Sequence, residues 1–267
     1  MQNDILMIDL TKYNVAYEEE VYSYSPGLGR KNLKNTLYQA SKDYCMYCYN
    51  RIKIDGNQYG HLEHAIEKSV SEKELTDCIP NIGISCPVCN DKYKRIGEKG
   101  RKPGTYAVAL FQSAARCKEK FCKEPCAAYI ALKKAYLENK DAHFLMQPLG
   151  VRSEDIGIMG GRELKLQYDV IEEKFVPDRN EEYTEEEIGF IQHHIDMFCL
   201  NSLDRRSTQL IKFLSDTIQH DGKYTEIEYN NQVVELFVNQ LLKGKEEKEI
   251  LKICEKLYTY ACLKFYS

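Results

Sequence analysis

No stretch of the chain approaches eighteen consecutive apolar residues, so no membrane-spanning helix is expected. The first twenty residues, MQNDILMIDLTKYNVAYEEE, are acidic where an export signal would be basic and then apolar, and no internal repeat is seen. A cytoplasmic chain is the expectation. Without an export signal, eleven cysteines in 267 residues do not read as a disulfide scaffold. Thiols kept reduced or held on a metal are expected instead. Low-complexity sequence is confined to the acidic run 180–187. A chain of this length with 43% hydrophobic residues can bury a real core, as one large domain or two small ones.

The net charge of -4 is unevenly spread. Residues 91–134 hold twelve Lys or Arg against four acids, which leaves +8 there and -12 elsewhere. A local basic surface suits a polyanion such as nucleic acid, whose phosphates supply most non-specific affinity. The part at 116–134 reads equally well as a solvated helix face. The part at 92–102 is expected to touch phosphate through Lys92, Lys94, Arg95, Lys99, Arg101 and Lys102.

Apolar spacing and turn residues divide the chain. Residues 1–40 are a leader, irregular or with a short strand, that turns at Ser25-Pro26-Gly27; a short helix over 30–44 leads out of it. Residues 41–104 form a small module with strands expected over 60–66 and 80–85, a turn at Asp55-Gly56-Asn57, and a helix opening at Asn90 as N-cap. Residues 105–183 carry two helices broken at Pro125, then strands within 143–151, 163–171 and 173–177. Residues 184–267 are helical, opening on a Thr184/Glu187 capping box, and read as a partner-docking region. The fold class expected is α+β and mostly helical.

The chemistry concentrates in residues 45–94. Cys45-x-x-Cys48 and Cys86-x-x-Cys89 are two C-x-x-C pairs about forty residues apart, the pattern of a four-thiolate structural Zn²⁺ site. Such a clip turns metal binding into folding free energy and fixes the strands between the pairs. Between them stand Glu63-His64 and Asn81, and Asn90 follows the second pair. His61 is open to a metal, phosphate or surface role, and Cys78 reads as structural. Cys117, Cys122 and Cys126 with His143 are a weaker candidate for a second metal, because their spacing is irregular. Cys199, Cys254 and Cys262 read as core thiols, and His193 and His194 as surface or packing residues.

The acid-His pair, the Asn before the second C-x-x-C and the sequence Cys86-Pro87-Val88-Cys89-Asn90 resemble the HNH (ββα-metal) endonucleases with paired zinc knuckles. Two positions depart from that family. Glu67 stands where a Pro is usual, and Tyr93 where a basic residue is usual, so that Lys92 or Lys94 would have to serve. The resemblance implies a small zinc-stabilised ββα-metal nuclease module, with His64 as general base and Glu63 and Asn90 as ligands of a catalytic Mg²⁺ or Mn²⁺. Asn81 would orient His64 through its side-chain or backbone carbonyl. Residues 42–220 more loosely resemble the HNH nuclease subunit of Septu-type anti-phage defence. That implies an ABC/SMC-like ATPase partner, and a retron reverse transcriptase with its RNA-DNA product as a further one; the target expected of the nuclease is DNA before RNA. The competing reading is a zinc ribbon that binds nucleic acid or a partner and cuts nothing.

Overall fold

Residues 6–114, 122–202, 208–225 and 229–265 are described by a computed structural model. Strand β1 (Met7–Asp9) precedes helix α1 (Leu28–Ser41), which buries Leu33, Leu37 and Tyr38, one helical turn apart. The helix ends in two left-handed residues, Lys42 (φ 52°) and Asp43 (φ 66°), which turn the chain into the first cysteine pair. A hairpin of β2 (Lys53–Ile54) and β3 (Asn57–Gln58) follows, with Asp55 (φ 49°) and Gly56 (φ 77°) at its tip, as the Asp-Gly-Asn signal predicts.

Strand β4 (His61–His64) pairs antiparallel with β5 (Ile82–Ser85), His61 opposite Ser85 and His64 opposite Ile82. Both strands are shorter than expected: a 3-10 turn occupies 79–81 before β5, and beyond β4 the Asn81 side chain takes the Ile66 N–H and carbonyl that a ladder would use. A single helical turn, α2 (Glu72–Leu75), lies between them. After β5 comes a six-residue π-helical turn, Val88–Tyr93. Asn90 is therefore inside this turn and not its N-cap. Pro87 already sits at helical φ (-52°), and the Cys86 sulfur accepts the Cys89 N–H at 3.4 Å, so winding begins before Asn90 is reached.

Helices α3 (Thr105–Ala114) and α4 (Ala127–Leu137) flank the Pro125 break. Residues 143–151, expected as a strand, run instead as buried irregular chain. The reason is a side chain: the Leu145 N–H donates to His194 Nδ1 at 3.1 Å, where a ladder carbonyl would otherwise sit. Strands β6 (Leu166–Asp169) and β7 (Lys174–Pro177) join β1 in an antiparallel sheet of order β1-β6-β7. Helices α5 (Glu185–Met197), α6 (Thr208–Gln219), α7 (Gln232–Phe237) and α8 (Glu247–Phe265) complete the chain. The Thr184 capping box is present, with Thr184 N–H donating to Glu187 Oε2 at 2.7 Å and Glu187 N–H to Thr184 Oγ1 at 3.3 Å.

The fold is α+β with small sheets. One continuous set of buried side chains runs from Ile8 to Leu257 and crosses the four expected segments. The first cysteine pair is tied into it by its aromatic residues. Tyr47 stacks on Phe198 with centroids 4.7 Å apart, and Tyr49 on Phe175 at 5.6 Å. Aromatic pairs of this kind add about 0.5–1.5 kcal/mol beyond area burial. The segment of the first cysteine pair thus borrows its core from α5 and β7. Among the described residues, no helix is long and apolar enough to cross a membrane.

Candidate functional site

The two cysteine pairs meet because β4 and β5 bring the chain ends of the intervening segment together. Among the described residues, one group of metal-ligating side chains emerges: Cys45, Cys48, Cys86 and Cys89, all buried, with sulfurs within 4.8 Å of one another. Cys48 Sγ and Cys86 Sγ are 3.7 Å apart, and all four thiols are free of disulfides. Tetrahedral Zn²⁺ with Zn–S bonds of about 2.3 Å needs sulfurs about 3.8 Å apart, so the spacing fits. The charges fit as well. Burial pushes the Cys45 and Cys89 thiols up, while hydrogen bonding from Cys45 holds Cys48 and Cys86 down. A divalent cation at the centre would let all four ionise together. The cluster can hold a structural metal such as zinc.

Two carboxylates flanking His64 are each clamped by a tyrosine and a cation. Glu63 is 2% exposed. Tyr47 Oη–H donates to its Oε2 at 2.5 Å, and Lys94 Nζ donates to its Oε1 and to the His64 carbonyl. Glu67 accepts Arg101 Nε–H (3.1 Å) and Nη2–H (2.8 Å) on Oε1, and Tyr136 Oη–H (2.6 Å) on Oε2. Arg101 also donates to the Lys94 carbonyl, and both cations lie over the Phe144 ring. Buried carboxylates demand such partners. The expectation that Lys94 and Arg101 face phosphate is therefore corrected: at 5% and 1% exposure they neutralise Glu63 and Glu67. Lys92, Arg95, Lys99 and Lys102 are exposed. Lys133, from the stretch read as a solvated face, is also buried, donating to Asp155 Oδ2 at 2.7 Å.

The same geometry separates the two lysines on either side of Tyr93. Lys94 N–H bonds the Cys89 carbonyl five residues back, the π pattern, and its ammonium arrives at Glu63. Lys92 instead lies over the Tyr93 ring at the surface.

His64 sits on the opposite strand face from His61 and Glu63, since neighbours alternate along β4. Its Nε2–H donates to the Thr76 carbonyl at 3.0 Å, which leaves Nδ1 with the free lone pair. Burial lowers its pKa to about 4, so the ring is neutral at pH 7. The Tyr24 ring lies against it, centroids 4.6 Å apart. Tyr24 is held there by Asp77, whose Oδ1 accepts the Tyr24 N–H at 2.6 Å and the Ser23 hydroxyl at 2.9 Å. Thr76, Asp77 and Tyr24 were not singled out by sequence reasoning. No motif marks them, and Tyr24 belongs to a leader forty residues upstream.

Asn81 makes no hydrogen bond to the His64 side chain, and its backbone carbonyl accepts the N–H of the residue after His64, Ala65, at 2.8 Å. Its side chain clamps Ile66 instead, accepting the Ile66 N–H (2.8 Å) and donating to the Ile66 carbonyl (2.9 Å), with Tyr129 Oη–H on the same oxygen at 3.0 Å. The positioning role expected of Asn81 falls to the Thr76 carbonyl. Asn90 is partly exposed and donates to Asp91 Oδ1 at 3.0 Å; Asp91 Oδ2 lies 3.5 Å from His61 Nδ1. Of the two residues expected to hold Mg²⁺ or Mn²⁺, Asn90 is accessible, but both oxygens of Glu63 are already engaged. That pair does not fit a second cation in this arrangement.

Of the other candidates, Cys117 lies outside the described residues, while Cys122 and Cys126 are partly exposed. Cys78 and Cys254 are buried in the core, and Cys199 and Cys262 are partly buried. His193 Nδ1–H donates to the His143 carbonyl at 2.7 Å. His194 is 1% exposed and bonds the Leu145 N–H and the Tyr47 carbonyl, a packing role that braces the first cysteine pair. No family model matches the chain, and neither a curated protein nor a solved structure matches it.

Proposed function

We propose that this chain is an HNH-type endonuclease that hydrolyses phosphodiester bonds of nucleic acid, DNA before RNA, with His64 as general base. The observation that carries the reading is the state of His64: a neutral imidazole fixed in one tautomer by the Thr76 carbonyl, with Nδ1 free, on a strand pinned beside a four-cysteine clip. A proton acceptor fixed in orientation is what activation of an attacking water requires. With a pKa near 4 the ring is almost wholly in its base form at pH 7, although it is a weaker base than an unperturbed His. The exposed Lys92, Arg95, Lys99 and Lys102 offer phosphate contacts on the rim. An ATPase partner in an anti-phage system would supply the control.

A second reading, a zinc-ribbon adaptor without catalysis, is favoured by a specific observation. Glu63 is saturated by Tyr47 and Lys94, and Tyr24 covers one side of His64. One experiment separates the two. Zinc-loaded protein and its His64→Ala variant are incubated with plasmid, single-stranded DNA and tRNA in Mg²⁺, Mn²⁺ or EDTA. Metal-dependent cleavage lost in the variant supports the nuclease. Salt-sensitive binding without cleavage in every arm supports the adaptor.

A further inference from the structure

A cavity of about 420 Å³ opens between α6 and the segment leading into α7, within the range of small-ligand sites. It is distinct from the His64 surroundings. Its walls are aromatic: Phe213, Tyr224 and Tyr229 line it, with the two tyrosine rings edge-on to Phe213 at 5.7 and 6.0 Å. Among its described lining residues are two lysines, Lys212 and Lys223, and one acid, Asp216. Asp216 pairs with Lys212, whose ammonium is 2.5 Å from Oδ2; among the described lining residues, Lys223 is exposed and has no ion pair. His220 commits Nδ1–H to the Asp216 carbonyl at 2.7 Å, which leaves Nε2 as a further polar group at the rim. Thr217 lines the same cavity, is 1% exposed, and its hydroxyl has no partner among the described residues.

We propose that this cavity is a nucleotide-binding site. Aromatic walls accept the flat face of any nucleobase, and the exposed Lys223 accepts the phosphate attached to it. Neither half alone accounts for the lining: an apolar ligand would leave Lys223 unused, and a free anion would leave three rings unused. The location adds a consequence. The wall that carries Tyr229 is bonded to the loop of the first cysteine pair, with Arg51 Nε–H on the Tyr229 carbonyl (2.8 Å), Arg51 N–H on the Asn230 carbonyl (2.8 Å), and Gln232 N–H on the Tyr49 carbonyl (2.9 Å). A nucleotide bound here rests on the back of the zinc clip. The site stands whether or not the chain cuts nucleic acid.

The test is saturation-transfer NMR and calorimetry on the full zinc-loaded chain with AMP, GMP, CMP and UMP, adenosine, inorganic phosphate, and a 5′-phosphorylated oligothymidylate. Binding of at least one mononucleotide is expected, weakened about tenfold or more on removing the phosphate and similarly in Lys223→Glu and Tyr224→Ala. Inorganic phosphate should not displace it. Lys223 is exposed, so Lys223→Glu should keep the wild-type melting temperature and remain interpretable if Tyr224→Ala does not fold. If the oligonucleotide binds more tightly than the mononucleotides, with the same response to Lys223→Glu, the nucleotide recognised is a strand end; if less tightly, it is free. No binding by any nucleotide, binding indifferent to both substitutions, or full displacement by phosphate would overturn the proposal.

Discussion

Lys94 reaches Glu63 because the turn that carries it is wound one residue wider than an α-helix. Its N–H bonds Cys89, a member of the cysteine cluster, and the other partner of Glu63, Tyr47, lies between Cys45 and Cys48. Both halves of the clip thus hold the same carboxylate. The cysteine cluster and the His64 strand are mechanically one unit.

Removal of metal should therefore be felt beyond the cysteines. If the clip holds a metal, chelation or Cys86→Ser is expected to cost about 4 kcal/mol or more, the class of large losses to which removal of a structural metal belongs. At roughly 2–4 °C per kcal/mol for a chain of this size, the melting temperature should fall by roughly 8–16 °C. Thermal unfolding with and without chelator checks this. An unchanged melting temperature in a zinc-free sample would show that the clip is idle.

Truncating Lys94 leaves Glu63 charged and buried. Lys94→Met should destabilise by about 3–5 kcal/mol, the usual cost of breaking a buried pair, whereas Lys92→Met at the surface should stay within about 0.5 kcal/mol. The double variant Glu63→Gln/Lys94→Met should recover a large part of the loss. Urea unfolding of the four proteins is the measurement. Equal effects at positions 92 and 94 would contradict the clamp.

Position 67 offers a cleaner separation of backbone from charge. Glu67 has φ -58° and ψ 138°, which proline adopts without strain. Glu67→Pro should nevertheless cost about 3–5 kcal/mol, because Arg101 loses its buried counter-charge and Tyr136 its acceptor. Glu67→Pro/Arg101→Met should regain part of it. If Glu67→Pro alone is neutral, the ion pair contributes nothing and the position is governed by backbone conformation.

His194 predicts an acid limit. Burial lowers its pKa to about 3, against the bond to the Tyr47 carbonyl that raises it and His193 that lowers it further. Its unfolded value is about 6.5. Between these pH values the unfolded chain binds a proton that the folded chain refuses. The stabilisation is complete above about pH 6.5 and falls with pH at up to roughly 1.4 kcal/mol per unit, levelling near pH 3. Folding free energy measured from pH 7 to 3 should show this slope. His194→Gln, which can still accept the Leu145 N–H, should flatten it; an identical slope in the variant would assign the acid sensitivity elsewhere.

What the sequence determined by itself were features whose cause is local. Two C-x-x-C pairs, the Asp-Gly turn, the Thr184/Glu187 cap, the Pro125 break and the apolar spacing of α1, α5 and α8 each depend on residues a few positions apart, and each appears where expected. The four cysteines were legible as a metal site because thiolate spacing constrains the chain in few ways. Tertiary structure alone decided the partners. Ile8 joins β6 across some 160 residues of chain. Leu145 gives its N–H to a histidine on α5 instead of a strand. Lys94 and Arg101 turn inward, because two buried carboxylates on β4 and its following loop need charge more than solvent does. Thr76, rather than Asn81, holds His64, since a backbone carbonyl leaves no mark in a sequence. Spacing names the groups able to bind or to react; packing and desolvation choose which of them meet.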